Sequence, residues 1–469
     1  MADQAAVVEF GRLRLTVLTP SLVRIEQSES KGAWDDRATL QIVNRRLPVP
    51  QFTTAKLNAT AMQVTTSVLR ITLGSDGSQR AGAQCSTNPG HDWSGGTQRS
   101  KSYPEPVNGT TLEDCCALCD ADPDCKFFSY ASGGENARAC WPLSQASGSV
   151  VAALDRIAGA KPSPSALLPV SIEFTGPDGS PATWVPGTVD TTNLNGTYAA
   201  LDCYSTPMQC NDVYHEKMQP GLLSRVGWAV IDDSGTGRLV PAPDRPAGIP
   251  YWWTLDRVSH ADLYFQAFPA MNYSDAMASW MSILGRPAML PRSAFGVWWS
   301  RYWQYTQDSI VTEVLDGYKN FSIPLNTLVF DMDWHDEPKE PGCQTWGNYD
   351  VNTNLFPDFH GFAEQLHEHG NVTGNPLKLS VNVHPQTGVD HCDKRYQQFA
   401  EAMDIDPATN ATITCDFGNK TFYDTLTSIY YDAEPLHNVD IWWTDYSGCG
   451  VSAGNPQLWN NLVIHQHQQ

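Results

Sequence analysis

Near residue 274 the hydrophobic pattern changes period, and that change limits the fold more than any other feature of the chain. Before it, short segments such as "RLRLTVLT", "LVRIEQS" and "SVLRITLG" alternate apolar and polar residues between turn residues. Period-two alternation is the signature of half-buried strands. After it, near-continuous apolar runs alternate with helical patterns. "AFGVWWSRY", "LNTLVFDMDW", "LKLSVNVHP" and "VDIWWTDY" read as strands covered on both faces. "DSIVTEVLDGYKNF", "DFHGFAEQLHEHG", "KRYQQFAEAM" and "KTFYDTLTSIYYDAEPL" read as the intervening helices. "SDAMASWMSILG" opens this half as a helix, with Ser274 as cap and Gly285 as stop. Strand–helix alternation of this kind implies a parallel sheet.

Within the first regime lies a third kind of segment. Six of the twelve cysteines fall at 85, 115, 116, 119, 125 and 140. Zinc is the competing explanation, but the window offers one Cys-x-x-Cys, from Cys116 to Cys119, and one histidine, His91. Dense, even cysteine usage points to disulfides and an oxidising compartment. Sequons at Asn58, Asn108, Asn195, Asn272, Asn320, Asn371, Asn410 and Asn419 point the same way. The start, "MADQAAVVEFGRLRL", has no hydrophobic signal core, and no stretch is long enough to span a bilayer. Cys203 and Cys210 are close enough in sequence to pair with each other. Cys343, Cys392, Cys415 and Cys449 lie in loops or strand ends, with connectivity open.

The expected organisation is therefore a multidomain β plus α/β chain. A β-sandwich over 1–84 and 149–273 is interrupted by a disulfide-rich module at 85–148. Residues 274–469 follow as the first four strands of a (β/α)8 barrel. A formal charge of −21 argues against a nucleic-acid partner and disfavours an anionic membrane surface. No Gly-x-Gly-x-x-Gly or Walker-type loop follows a strand, so nucleotide binding is unsupported.

The polar residues gather at the strand C-terminal ends. They are Ser300, Arg301 and Tyr302, then Asp331, Asp333, Trp334 and His335, then His384, then Asp445. In a (β/α) barrel those ends converge on the active site. One aspartate after a strand is more often a turn or helix cap. Four strands each delivering a polar group, beside Trp299, Trp334, Trp442 and Trp443, suggest a sugar site, where carboxylates and aromatic faces work together. His367, His369, His465 and His467 read as solvated surface rather than metal ligands.

The segments "FGVWWSRYWQYT", "IPLNTLVFDMDWH", "WGNYDVNTNLFPDFHGFAEQLHEHG", "LSVNVHPQTGV" and "VDIWWTDY" resemble glycoside hydrolase family 31 in order and spacing. "LVRIEQS", "DDRATLQIVNRRLPVP" and "GLLSRVGWAVIDDS" resemble its N-terminal sandwich. The cysteine window resembles a PAN/Apple-type module. The family resemblance implies a retaining α-glycosidase, α-glucosidase- or α-xylosidase-like, acting without metal or organic cofactor on α-glycosides or oligosaccharides in a secretory setting. It implies Asp445 as nucleophile and Trp443 as an aromatic wall of the sugar pocket. Asp331 would bind sugar hydroxyls, with Tyr302 near the same site. Asp333, Trp334, His335 and His384 follow from strand-end position. The module's expected ligand is a glycan or a protein.

Two departures qualify the resemblance. Tyr446, Ser447 and Gly448 stand where many α-glucosidases of the family have Met-Asn-Glu, which leaves sugar and linkage open. The family's general acid/base follows a sixth strand, and only four strands are recognisable here, so the chain reads as truncated. A carbohydrate-binding protein without catalysis and an inactive fragment are the alternatives. Turnover of an activated aryl α-glycoside separates enzyme from binder.

Overall fold

The structure is a computed structural model. It describes residues 1–28, 32, 34–74, 86–93, 97–99, 105–108, 115, 118–119, 125, 127–131, 139–146, 150–160, 168–196, 220–234, 236–242, 251–254, 261–287, 289–336, 343, 348–368, 376–445 and 456–467. These fall into two compact units. The first is Met1–Arg238 with Thr254–Arg286, and the second is Leu239–Trp253 with Pro287–Gln469.

In the first unit, two five-stranded antiparallel sheets share one core. One holds Val7–Phe10, Leu13–Val17, Leu22–Gln27, Ala261–Ala267 and Trp228–Asp232, in that order. The other holds Pro181–Trp184, Val170–Thr175, Arg70–Leu73, Met62–Thr65 and Thr53–Lys56. Leu13, Leu15, Val17, Val23, Ile25 and Phe265 meet Val64, Ile71, Leu73, Val170, Ile172 and Trp184. These are the alternate positions that the period of two places on one face.

The opposite face of the first sheet is buried too. At one end, Leu22, Ala229 and Tyr264 pack under the helix Tyr273–Leu284 through Ala276, Trp280 and Ile283. At the other end a buried ionic cluster replaces apolar packing. Arg24 grips Asp262 through Nε and Nη2 at 2.8 and 2.7 Å, and Arg14 grips Glu26 through Nε and Nη2 at 2.6 and 2.9 Å. The helix Tyr273–Leu284 therefore completes the first unit instead of opening the second, and the boundary expected at 273/274 lies at 286/287. Its cap is Asn272, whose Oδ1 accepts from Asp275 N at 3.2 Å, two residues earlier than the expected Ser274. Gly285 ends it at φ 91°, a conformation that favours glycine.

A third antiparallel sheet orders Ser86–Trp93, Val150–Ala160, Phe127–Ala131, Cys140–Ala146 and Thr97–Arg99. The strand Val150–Ala160 pairs with both Ser86–Trp93 and Phe127–Ala131, so the inserted segment runs past the expected end at 148. Disulfides join Cys115 to Cys140 and Cys119 to Cys125. Cys85, Cys116, Cys203 and Cys210 lie outside the described residues. Seven of the sequon asparagines, all but Asn371, are described, and all seven are exposed.

The second unit carries a four-stranded parallel sheet, Trp298–Trp299, Thr327–Phe330, Lys378–Val383 and Ile441–Thr444 in spatial order. Helices alternate with the strands as the periodicity predicts. Gln307–Asn320 follows the first strand, with Ile310–Leu315 wound wider as a π-helix. Phe359–Glu368 buries Phe359, Phe362 and Leu366 and is capped by Asp358, whose Oδ1 accepts from Gly361 N at 3.0 Å. Tyr396–Ala402 and Lys420–Leu426 precede the fourth strand, and Pro456–His467 follows it. A disulfide joins Cys343 to Cys392, and Cys415 is disulfide-bonded as well. Among the described residues no helix is long and apolar enough to cross a membrane.

Candidate active site

Register decides which side chains share a face. Phe330 lies opposite Val381, Val381 opposite Trp442, and Asn382 opposite Trp443. Trp298 pairs with Thr327, so Trp298 and Ser300 lie on the same face as Asp331, Asn382, His384, Trp443 and Asp445. Trp299 and Arg301 fall on the other face. There they line a cleft of about 420 Å³ with Tyr305 and with Glu313, Val314 and Tyr318 of the following helix. Trp442 also faces away and stacks on Tyr431 with ring centroids 4.0 Å apart. Of Trp442 and Trp443, only Trp443 is presented on the polar face, 39% exposed.

Asp445 is the best-anchored carboxylate of the set. Its backbone N–H donates to Val383 O at 2.9 Å, so the ladder fixes the residue one step past the strand. Asn382 Nδ2 donates to Asp445 Oδ2 at 3.1 Å, and His384 Nε2 lies 3.6 Å from the same oxygen. Asn382 is fully buried. The apolar reading of "LKLSVNVHP" gave it no role, although two polar residues spaced by two in a covered strand were the available signal.

Asp331 sits half-buried at the end of the second strand and accepts from Ser300 Oγ at 3.4 Å. Its carboxyl is pushed above the ordinary aspartate range, first by burial and then by the charge of Asp445. The Ser300 hydroxyl and His384 pull the other way. Two carboxylates thus feel each other across one face, in a setting that suits hydroxyl binding and charge stabilisation.

Asp333 adopts φ 60° while buried, a left-handed conformation that non-glycine residues hold only when the surroundings enforce it. The turn places Trp334 under the site rather than in it. Its indole is 0% exposed, packs near Phe359, and donates Nε1–H to Asn382 O at 2.8 Å. Trp334 is therefore a support for Asn382, not the sugar platform expected from its strand-end position. His335 is buried as well. Burial lowers its pKa, His384 lowers it further, and its Nδ1 lies 3.2 Å from Asp336 O. Tyr302 is exposed, with Trp303 beside it under the Arg301 guanidinium.

The histidines read as solvated surface have partners. His367 Nε2 is 2.7 Å from Asp440 Oδ2, and Lys378 Nζ is 2.6 Å from Oδ1 of the same carboxylate. His467 of the final helix has its Nε2 3.2 Å from Oδ1 of Asp432, which lies before the fourth strand. His369 lies outside the described residues.

Comparison with known proteins finds relatives for two segments of the chain. Residues 287–468 match the profile of the Glycosyl hydrolases family 31 TIM-barrel domain, and residues 92–159 match the PAN domain. An alpha-xylosidase of Emericella nidulans is 26% identical over 132 residues, 28% of this chain. Glucoamylase 1 of Candida albicans is 37% identical over 238 residues, 45% of this chain. The aligned segments span only 15% and 23% of those relatives. Among solved structures, a family 31 alpha-xylosidase from Xanthomonas citri aligns with 95% of this chain and 57% of its own at 12% identity and a TM-score of 0.41.

Proposed function

We propose, from the premise that residues 287–468 are a segment of a family 31 glycosyl hydrolase TIM-barrel domain, that this chain is part of an enzyme hydrolysing terminal α-linked glycosyl residues with retention. The observation that carries the reading is the anchoring of Asp445, held by Asn382 and His384 on the same sheet face as Asp331 and Trp443. A carboxylate fixed by two neighbours, beside an exposed indole and a second carboxyl group, suits nucleophilic attack at an anomeric carbon.

In this reading the two facing antiparallel sheets form a β-sandwich before the catalytic domain, and the four parallel strands are the first half of its barrel. Asp445 Oδ attacks the anomeric carbon as the glycosidic C–O bond breaks, giving a covalent glycosyl ester. A proton must reach the departing oxygen, and a water then releases the sugar. The resemblance puts that proton donor after a sixth strand, so the step is assigned to none of the residues described. Asp331 holds hydroxyls of the reacting sugar, Trp443 stacks on its apolar face, and Tyr302 extends the wall. The sulfur-bridged segment matching the PAN domain would add a glycan- or protein-binding surface. Disulfides and exposed sequons support passage through a secretory lumen.

The test is turnover of activated aryl α-glucosides and α-xylosides by the native protein, with Asp445→Asn as comparison. Hydrolysis with retained configuration, abolished by the substitution, is the expected result. Glycan binding without turnover in the native protein would favour the binding-protein reading instead.

A further inference from the structure

Away from the strand ends, the second unit brings together two histidines and two carboxylates from segments more than sixty residues apart. His360 and Glu364 stand one helical turn apart at the start of Phe359–Glu368. Glu434 and His437 lie in the connection that leads into the fourth strand. His360 Nδ1 is 3.1 Å and His437 Nδ1 is 3.2 Å from the same atom, Glu434 Oε2. These three atoms lie within 4.8 Å of one another, and the two imidazoles stack with centroids 5.0 Å apart.

The protons on His360 are the informative detail. Its Nε2 lies 3.4 Å from Glu364 Oε1, a carboxylate that can only accept when ionised. Its Nδ1 lies 3.2 Å from Asn438 Nδ2, an amide nitrogen that can only donate. In the neutral ring that carries its proton on Nε2, toward Glu364, Nδ1 offers a lone pair. That lone pair then faces a carboxylate oxygen with no proton between them. A cation among His360 Nδ1, Glu434 Oε2 and His437 Nδ1 would take up that lone pair in place of the Asn438 amide. A carboxylate accepting from the far nitrogen of a ligating histidine is the usual outer support of such a centre.

We propose that His360, Glu434 and His437 form a binding site for a divalent transition cation of the zinc class, with Glu364 orienting His360. Two imidazoles and one carboxylate are a donor set that zinc accepts, leaving a fourth position for water. The other such cluster among the described residues, Cys343, His391 and Cys392, offers no competing site, because its two sulfurs are bonded to each other. The cation would tie the helix Phe359–Glu368 to the connection preceding the strand that ends in Asp445. None of its ligands belongs to the polar face where the sugar site is proposed.

The experiment is calorimetric titration of the full chain with Zn²⁺ after dialysis against a chelator. One site per chain is expected, with a rise in unfolding temperature on addition of the metal. Glu434→Gln and His437→Ala should each abolish that site, and Glu364→Gln should weaken it about tenfold or more. All these side chains are at least a third exposed, so the variants should fold, and unchanged unfolding temperatures without metal check this. Absence of binding in the native chain would overturn the proposal, as would Zn²⁺ binding that survives His437→Ala and Glu434→Gln.

Discussion

Replacing Arg24 by methionine should unfold the first unit far more readily than any surface change. Arg24 is 1% exposed and contacts three carboxylates, Asp262, Glu26 and Asp36, at 2.7 to 3.0 Å, with Nη2 also donating to Asp35 O at 3.0 Å. The wider cluster sets Arg14, Arg24, Arg37, Arg45 and Arg238 against Glu26, Asp35, Asp36, Asp233 and Asp262, five charges of each sign. Methionine keeps the length and apolar stem but leaves the cluster one positive charge short. Breaking a buried pair by removing one partner costs roughly 3–5 kcal/mol. That is a large part of the roughly 5–15 kcal/mol typical of a domain. Burial already pushes Glu26 up to about 7, with Arg24 the largest opposing pull, so the variant relieves part of the imbalance by taking up a proton. The loss should therefore grow as pH rises. In urea unfolding followed by tryptophan fluorescence, the midpoint should fall by roughly 1–3 M. A second substitution, Asp262→Leu, should recover much of it, because an apolar pair in place of an ion pair is often neutral. A shift under about 1 kcal/mol, or no recovery in the double variant, would refute the claim that matched buried charge holds this face.

Other outcomes follow from the second unit. Burial pushes Asp393 up to about 6, and Asp350 adds to it. A carboxyl raised in the folded state binds a proton that the unfolded chain has lost, so its contribution falls as pH rises from about 4 to 6. A shift of about two units corresponds to ~3 kcal/mol, and Asp393→Asn should flatten the stability curve by that order across this window. Removing the Cys343–Cys392 disulfide frees a loop of 49 residues, which costs about 4 kcal/mol in the chain-entropy treatment and is read from denaturant midpoints of Cys343→Ser/Cys392→Ser. Trp443→Ala should raise KM about tenfold, roughly 1.4 kcal/mol of lost stacking, with a smaller effect on kcat in steady-state kinetics.

The alternation of helix and strand after residue 287 was legible because buried parallel strands and amphipathic helices have different periods. The position of Asp445, one step past the fourth strand, was legible for the same reason. What hid was set by tertiary contact. "LVRIEQS" alternates like a strand with one wet face, but loop residues 35–45 and the helix Tyr273–Leu284 cover that face, and its charges are satisfied internally. Trp334 looked like a platform until the left-handed turn at Asp333 tucked it beneath Asn382. His360 and His437 are separated by the rest of one helix, a strand and two further helices, and no local spacing announces them.

The account stands or falls on Asp445. The measurement is mass spectrometry of the native protein after incubation with an activated α-glycosyl fluoride whose covalent intermediate turns over slowly. One sugar per chain, mapped by peptide sequencing to Asp445 and absent in Asp445→Asn, is the predicted result. Turnover of the same reagent with no ester on Asp445, or an ester on another carboxylate, would contradict it.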